Sequence, residues 1–289
     1  MIGPGALGGA MIDLISQHDV FSLHSVWGRK QSDCYYVKKG TTDKVPADKL
    51  FPSQNDDLGT LIIISVPDGQ IKSCANRLSD TQILWTKKQV IHLSGNLDSS
   101  ILDPLKKMGA VTASLHPLQT FTRGDGADRF SGIWFSLHGD ASFFSLLNQL
   151  IEPFGARSKV LTSQQKSAMH LAAVFASNYL VSLMDVVDDI TKGNGIPDGL
   201  EMLEPIVHQT IQNIFEKGTK QSLSGPIARG DKSTVGKHLK QLEDNPARYK
   251  LYQQLGLIAT QIADMSGSAD SSDIKEIREI FEPDIDSDE

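Results

Sequence analysis

Residues 1–9, Met1-Ile2-Gly3-Pro4-Gly5-Ala6-Leu7-Gly8-Gly9, are the stretch that decides the fold. Three of these glycines follow the spacing G-x-G-x-x-G, which is typical of the turn between the first strand and the first helix of an α/β domain. The apolar residues after the turn recur at helical spacing: Ala10, Met11, Leu14 and Ile15. We therefore predict a helix that begins at the turn and packs this stripe against a sheet.

Each glycine of the turn has a separate task in that motif. The first allows the tight turn, the second leaves room for a pyrophosphate, and the third lets the helix lie close to the strand. The helix N-terminus then faces the phosphates. The spacing predicts that a dinucleotide contacts Gly3, Gly5, Ala6, Leu7 and Gly8.

The residues before the turn do not complete the motif. Only Met1 and Ile2 precede Gly3, whereas a buried strand needs about 4–8 residues. Either the true start lies upstream or the central strand is a stub, and we favour a truncated or mis-called start.

Length and composition are those of a soluble protein with two domains. The 289 residues carry a net charge of −7, which residues 266–289 account for with nine acids and two bases. The remaining chain is neutral, so we predict no nucleic-acid partner. The two cysteines, Cys34 and Cys74, give no disulfide framework and no metal spacing, which fits a reducing cytoplasm. The run 171–187 is interrupted by polar residues, so we predict no membrane partner.

The residues at the end of the predicted second strand indicate which cofactor binds. We predict that strand over 20–27, followed by Gly28-Arg29-Lys30. Enzymes that use NAD usually place an acid here for the ribose 2′-hydroxyl, whereas a 2′-phosphate needs arginine. No acid occupies 27–30. Arg29 and Lys30 therefore favour NADP over NAD, the alternative being two solvated bases in a loop.

Strands then alternate with helices up to residue 155. The run 61–66 is continuously apolar, as a strand buried on both faces requires, and further strands are predicted at 89–93, 110–115 and 132–137. This alternation predicts a doubly wound parallel sheet. After Gly155 the pattern changes, and no strand is predicted after about residue 161. The first helix begins at a capping box of Thr162 and Gln165. We therefore divide the chain into an α/β domain (1–155), a helical domain (156–265) and an acidic tail (266–289) with a short helix at 272–281.

Five motifs in order resemble a known family. They are Val66-Pro67-Asp68, His92-Leu93-Ser94-Gly95, Ser114 to Phe121 (SLHPLQTF), His170 to Tyr179 (HLAAVFASNY) and Gly225 to Asp231 (GPIARGD). The chain resembles, to about residue 260, uncharacterised Rossmann-like oxidoreductases with a C-terminal helical domain of unknown function. These are distant relatives of pyrroline-5-carboxylate reductase and of the 6-phosphogluconate dehydrogenase superfamily. The resemblance departs at the start, where the family has a full first strand.

The resemblance implies a nicotinamide cofactor and a site in the cleft between sheet and helical domain. Ser65, Val66, Pro67 and Ser94 then line the cofactor. The His-Pro-Leu segment at His116 is also similar to the His-Pro-Met segment of prephenate dehydrogenases, which lies near the nicotinamide.

Three polar residues are candidates for proton transfer. His116 ends a predicted strand at the ligand edge of the sheet, the alternative being that its ring shapes the turn before Pro117. The related dehydrogenases carry a catalytic lysine and asparagine on a helix equivalent to the long helix predicted here from about 163 to 190. We assign those roles to His170 and Asn178. Lys166 lies on the same stripe, but we expect it to face solvent.

The loop at 225–231 supplies candidates for substrate binding. Arg229 has the geometry to bind a carboxylate or phosphate, and Asp231 and Thr234 follow it. Asp231 has two alternatives, an ion pair with Arg229 or a cap on the next helix.

These observations predict an NADP-dependent oxidoreductase that acts on a small anionic carbonyl, imine or alcohol. The alternatives are a non-catalytic NADP-binding redox sensor and an interaction protein. The long helix from about 163 to 190 is apolar nearly all round. It is expected at the centre of the helical domain or of a homodimer, and we favour a homodimer.

Overall fold

The computed structural model describes residues 1–282. The chain divides into two compact units, Met1–Leu180 and Val181–Glu289. This division falls later than residue 155, because a strand that follows Gly155 joins the sheet of the first unit. The strands are β1 (Ser25–Val26), β2 (Tyr35–Val37), β3 (Lys44–Pro46), β4 (Leu61–Ile64), β5 (Gln89–His92), β6 (Val111–Pro117), β7 (Trp134–Gly139) and β8 (Arg157–Val160).

The helices follow the predicted order along the chain. They are α1 (Ala6–Ser16), α2 (Asp68–Ser79), α3 (Asp103–Lys107), α4 (Phe144–Ile151), α5 (Ser163–Val174), α6 (Leu180–Gly193), α7 (Gly199–Lys217), α8 (Thr219–Ser222), α9 (Gly225–Ala228), α10 (Lys232–Leu242), α11 (Pro246–Ser266) and α12 (Ser271–Phe281). A π-helical turn, Phe175–Tyr179, joins α5 to α6.

The main sheet has the order β4-β5-β6-β7-β8. The pairs β4–β5, β5–β6 and β7–β8 are parallel, whereas β6 and β7 are antiparallel. The segment between β6 and β7 holds a 3-10 turn, Ala127–Phe130, and no crossover helix. Parallel strands need such a crossover, so the chain returns in the opposite direction. The predicted doubly wound class is confirmed, with one antiparallel pair in the sheet.

The position of the first strand is filled by Ile2. Its amide donates to the carbonyl of Ile63 at 2.8 Å, and its carbonyl accepts from the Ser65 amide at 2.7 Å. On the other side the Gly3 amide donates to the Trp27 carbonyl at 2.8 Å. Ile2 therefore pairs in parallel with both Trp27 and Ile64, and a two-residue stub links β1 to the sheet.

Strand β4 separates two hydrophobic cores. Ile63 packs on one face with Met11 and Leu14 of α1. Ile62 and Ile64 pack on the other face with Ile71 of α2. Successive side chains of a strand point to opposite faces, so the apolar run at 61–64 serves both layers.

The predicted second strand is shorter than 20–27. Only Ser25–Val26 is strand, and it pairs with β2 in a small antiparallel sheet, β1-β2-β3. Val20 is exposed, so no buried neighbour selects an extended conformation at the start of that run.

The long helical run Ser163–Gly193 leaves its apolar side chains exposed. Its capping box forms as predicted, since the Gln165 amide donates to Thr162 Oγ1 at 3.2 Å. By length and composition the run could cross a membrane, and its most apolar window is not buried. The expectation that the run lies at the centre of the helical domain is therefore wrong for the single chain.

The acidic C-terminal segment is partly folded. Helix α12 buries Ile274, Ile277 and Phe281, and the last two pack in one core with Val235 and Leu239 of α10. The helix predicted at 272–281 is present, but it is an integral part of the helical unit. Residues 283–289 of the predicted tail lie outside the described residues.

Candidate functional site

The glycine turn has the geometry that its spacing predicts. Gly3 has a φ of +91°, and a Cβ there would lie 2.5 Å from the Ser65 carbonyl oxygen. A Cβ on Gly8 would collide with the Gly3 carbonyl, whereas a Cβ on Gly5 would meet no atom within 4 Å. The first and third glycines are therefore required by packing. The second leaves open space at the N-terminus of α1, where a phosphate fits.

Two cavities adjoin the turn and share Arg29. One, of about 580 Å³, is lined by Trp27, Phe51 and Val66, with Arg77 stacked on the Phe51 ring at 3.8 Å. The other, of about 570 Å³, is lined by Gly5, Ala6, Arg29 and Lys30. The first offers apolar and aromatic surface, and the second offers cations beside the glycine turn.

A second group of polar side chains lies where β4, β5 and β6 end. Ser94 and Gly95 follow β5, and His116 lies near the end of β6. A Cβ on Gly95 would lie 2.7 Å from His116 Nε2 and 2.7 Å from His170 Nδ1. The structure therefore brings two predicted residues, His116 of the sheet and His170 of α5, to the space that a side chain at Gly95 would occupy. Their ring centroids are 6.3 Å apart.

The tautomer of His116 follows from its backbone contact. His116 Nδ1 lies 2.9 Å from the Leu93 carbonyl, so Nδ1 donates and Nε2 is the free acceptor. Burial lowers the pKa of His116 to about 4, and the Lys166 ammonium contributes to this shift. His116 is thus neutral at neutral pH. The structure shows a backbone contact of one ring nitrogen, as the alternative interpretation expects, while the role of His116 in proton transfer stays a prediction.

Ser94 is fixed by a buried histidine and by an acid. The Ser94 amide donates to His92 Nδ1 at 3.2 Å, and His92 Nε2 donates to the Asp98 carbonyl at 2.9 Å. The Ser94 hydroxyl donates to Asp68 Oδ2 at 2.8 Å. Burial lowers the pKa of His92 to about 4, so this neutral ring positions the loop that follows β5.

Lys166 is buried, contrary to the prediction that it faces solvent. Its side chain is 1% exposed, and Nζ donates to the Ser94 carbonyl at 2.8 Å and to Ser136 Oγ at 3.5 Å. Burial lowers the pKa of the amine to about 8. The first turn of α5 therefore places an ammonium beneath the Ser94–Gly95 loop.

The other predicted residue of the long helix lies further along it. Asn178 is in the π-helical turn and accepts a hydrogen bond from Ser177 Oγ at 2.9 Å. Turns of this kind are frequent at functional sites. The assignment of Asn178 to catalysis stays a prediction.

The loop at 225–231 is organised by a helix cap. Asp231 accepts from the Thr234 amide at 3.0 Å and from Thr234 Oγ1 at 2.6 Å. These bonds lower the pKa of Asp231 and use both its carboxylate oxygens. Of the two alternatives for Asp231, the structure shows the cap. Arg229 is exposed and follows α9.

Sequence reasoning missed two residues of this site. Asp68 is a first-turn residue of α2 whose side chain reaches Ser94. Its signal was its place in the motif Val66-Pro67-Asp68, directly after a predicted strand. Lys166 shares a polar stripe with His170, and this stripe was its signal in the sequence. A lysine in the first turn of a helix is usually solvated, so it was expected to face solvent.

Comparisons with known proteins agree with this architecture. Residues 3–117 match a Rossmann-like domain, and residues 133–258 match a domain of unknown function, DUF2520. No match was found among curated proteins.

Three solved structures illustrate the likeness. A Bacteroides fragilis protein described as a candidate NADP oxidoreductase is 21% identical, with a TM-score of 0.69 over 91% of this chain and 96% of that one. A Thermotoga maritima protein is 24% identical, with a TM-score of 0.68 over 91% and 97%. Plasmodium falciparum pyrroline carboxylate reductase with NADP bound is 13% identical, with a TM-score of 0.52 over 97% and 96%. At these identities the likeness shows the fold.

The order of the two domains and the fold confirm the resemblance seen in the five motifs. The chain is similar to Rossmann-like domains over residues 3–117 and to the domain of unknown function DUF2520 over residues 133–258.

Proposed function

We propose that the protein is an NADP-dependent oxidoreductase. The observation that carries this proposal is the glycine turn, in which Gly3 and Gly8 are sterically required and Gly5 is open. The cationic cavity beside Gly5 contains Arg29 and Lys30, which suit a 2′-phosphate better than a hydroxyl. The bound NADP of the Plasmodium pyrroline carboxylate reductase supports the same class of cofactor.

The residues of this chain that serve the reaction lie around Gly95. When bound, the cofactor supplies or accepts the hydride. His116 offers Nε2 as a hydrogen-bond acceptor, because its other nitrogen is bound to Leu93. His170, which approaches the same face of Gly95, is our candidate to exchange a proton with the substrate. Lys166 acts as a positioning residue through the Ser94 carbonyl.

The substrate we propose is a small anionic carbonyl, imine or alcohol. A buried ammonium lies beneath the Ser94–Gly95 loop, and the neutral His116 ring lies beside Gly95. The Asp68 carboxylate contacts this loop through the Ser94 hydroxyl. The pyrroline carboxylate named for the Plasmodium protein is a cyclic imine with a carboxylate. Arg229 stays a predicted substrate ligand, to be tested by the KM of Arg229→Ala.

A non-catalytic NADP-binding sensor is the second candidate. One observation favours it, namely the pKa of His116, which is lowered to about 4 and leaves this ring without a proton to give at neutral pH. A deuteride transfer assay with 4-deuterated NADPH and a panel of cyclic imines and oxo acids separates the two candidates. Catalysis predicts transfer that His170→Ala abolishes, and a sensor predicts binding without transfer.

Direct binding tests the cofactor. We expect a fluorescence titration to show tight NADPH binding and weak NADH binding, and Arg29→Ala to weaken NADPH much more than NADH. Gly5→Val should abolish both, because the new side chain fills the open space without touching the protein. Gly236→Val is the matched control, since Gly236 is equally open but lies in α10. Normal affinity in Gly5→Val would contradict the proposal.

We also propose that the protein is a homodimer formed through the long helical run and its neighbours. Monomers rarely expose large apolar patches, yet Phe175, Val181, Met202 and Phe215 are exposed. A second copy suits this surface better than a bilayer. The run also carries Asp188 and Asp189, which pair with Lys192 and Arg248 at 2.6 and 2.5 Å, and such ion pairs are costly in lipid.

A further inference from the structure

We propose that Arg123 is a second residue that selects NADP, by binding the 2′-phosphate together with Arg29. The inference rests on the proposed function and adds a residue from a distant part of the chain. Arg123 lies after β6, in the segment that leads to the 3-10 turn Ala127–Phe130. It lines the same cavity of about 570 Å³ as Gly5, Ala6, Arg29 and Lys30.

The loop that carries Arg123 is fastened to the helix that begins at the glycine turn. The Ala127 amide donates to Asp13 Oδ2 of α1 at 2.7 Å. Within the loop, Asp125 Oδ2 accepts from the Thr122 amide at 2.6 Å. The backbone is therefore tied on both sides of Arg123, so binding through this residue would cost little loop entropy.

The three cations of the cavity outnumber the two carboxylates of its lining, Asp33 and Asp125. Asp125 Oδ1 accepts from Arg129 Nε at 3.2 Å, so this carboxylate is engaged by Arg129 and by Thr122. Among residues 1–282, Arg123, Arg29 and Lys30 form no ion pair within 4 Å. Three such cations around one cleft favour a ligand group with more than one negative charge, and a phosphate monoester carries about −1.5 to −2 at neutral pH.

The position of the cavity favours the 2′-phosphate over the pyrophosphate. In this fold the pyrophosphate faces the backbone of the glycine turn, and the ribose is read by residues after the second strand. Arg29 and Lys30 follow β1 closely and share their cavity with Arg123. Arg29 also lines the neighbouring aromatic cavity, which suits the adenine. The cationic cavity is thus placed for a group that branches from the adenosine ribose.

The test compares Arg123→Ala with Arg129→Ala in titrations of the full chain with NADPH and NADH. A competition with 2′,5′-ADP and 5′-AMP reports on the same phosphate without the nicotinamide. Arg129→Ala removes an equal charge from the same loop, but Arg129 pairs with Asp125 and does not line the cleft. We expect Arg123→Ala to raise the Kd of NADPH and of 2′,5′-ADP about tenfold or more. The Kd of NADH and of 5′-AMP should change less than about twofold, and Arg129→Ala should leave all four values near wild type.

Three outcomes overturn the assignment. Equal losses for NADPH and NADH would place Arg123 at the pyrophosphate or show a disturbed loop. Unchanged NADPH affinity would show that Arg123 does not reach the ligand. A wild-type chain that binds neither nucleotide would instead remove the proposed cofactor, and with it this role.

Discussion

Burial of the Lys166 ammonium is energetically unfavourable, because the charged amine loses its contacts with water. Its pKa is lowered to about 8 by burial, so the fold disfavours the charged form that exists at neutral pH. An apolar side chain of similar length would avoid this desolvation. The lysine instead holds the Ser94 carbonyl at 2.8 Å and lowers the pKa of both His92 and His116. We interpret it as a residue that, together with burial, keeps these rings neutral.

Replacing that charge should be visible in the two histidines. Lys166→Met removes the ammonium but keeps an unbranched stem, so the pKa values of His92 and His116 should rise when measured by NMR with labelled histidine. The exposed Lys107 provides the control, because Lys107→Met removes the same charge at the surface. Unchanged histidine pKa values in Lys166→Met would rule out this electrostatic role.

The buried histidines also predict how stability depends on pH. His92 and His116 have folded pKa values of about 4, below the unfolded value of about 6.5. The unfolded chain therefore takes up protons first, and the free energy of unfolding falls as the pH drops from about 6.5 to about 4. At about pH 4, each ring lowers the free energy of unfolding by up to about 3 kcal/mol relative to its value above pH 6.5. Urea unfolding across this range should show a shallower fall in His92→Asn than in wild type, and parallel curves would contradict the assignment.

Helices α10 and α11 each contain a glycine, and the two glycines have different surroundings. A Cβ added to Gly236 of α10 would meet no atom within 4 Å, whereas at Gly256 of α11 a Cβ would collide with the Phe281 ring of α12. The missing side chain of Gly256 therefore allows α12 to pack closely. Gly236 gains nothing from its missing side chain and only weakens its helix.

The two glycines predict opposite effects of one substitution. Gly236→Ala should raise the free energy of unfolding by roughly 0.5–1 kcal/mol, because alanine is the better helix former. Gly256→Ala should lower it by about 1–3 kcal/mol, because the added methyl overpacks the core against Phe281. Thermal or urea unfolding of both variants measures this. Equal effects would show that α12 does not dock as described.

The chain as a whole exposes its large apolar side chains unevenly. Of the 23 that are exposed in the described residues, 16 lie between Met169 and Met265. The seven that precede Met169, such as Val20, are ordinary for a soluble surface. The concentration in the helical region is what a subunit interface requires.

Oligomeric state is therefore a direct test of this surface. Light scattering after gel filtration should give twice the mass of the single chain. Phe215→Glu and Val181→Glu should shift it towards the monomer, since these side chains are 86% and 70% exposed and their replacement leaves the chain's own core intact. Val20→Glu, at a site 76% exposed in the other unit, should leave the dimer unchanged. A wild-type monomer, or a dimer indifferent to both helical substitutions, would refute the interface.

Local patterns were sufficient for most of the elements. The glycine spacing predicted the turn and α1, the apolar run at 61–66 predicted β4, and the Thr162–Gln165 box predicted the start of α5. Each depends on neighbours within a few residues, where backbone geometry and side-chain period act directly. His116 was also proposed as a candidate from its place after a strand, and His170 from the polar stripe that it shares with Lys166.

Contacts between distant parts of the chain decided the rest. Lys166 is buried because α5 brings it to Ser94, which lies 72 residues away in the sequence, and desolvation depends on that neighbour. The reversed direction of β7 follows from a missing crossover helix. Arg123 lines the same cavity as Arg29 because the loop that carries Arg123 is hydrogen-bonded to Asp13. The periodicity of the sequence does not predict such long-range contacts, because they are set by packing in three dimensions.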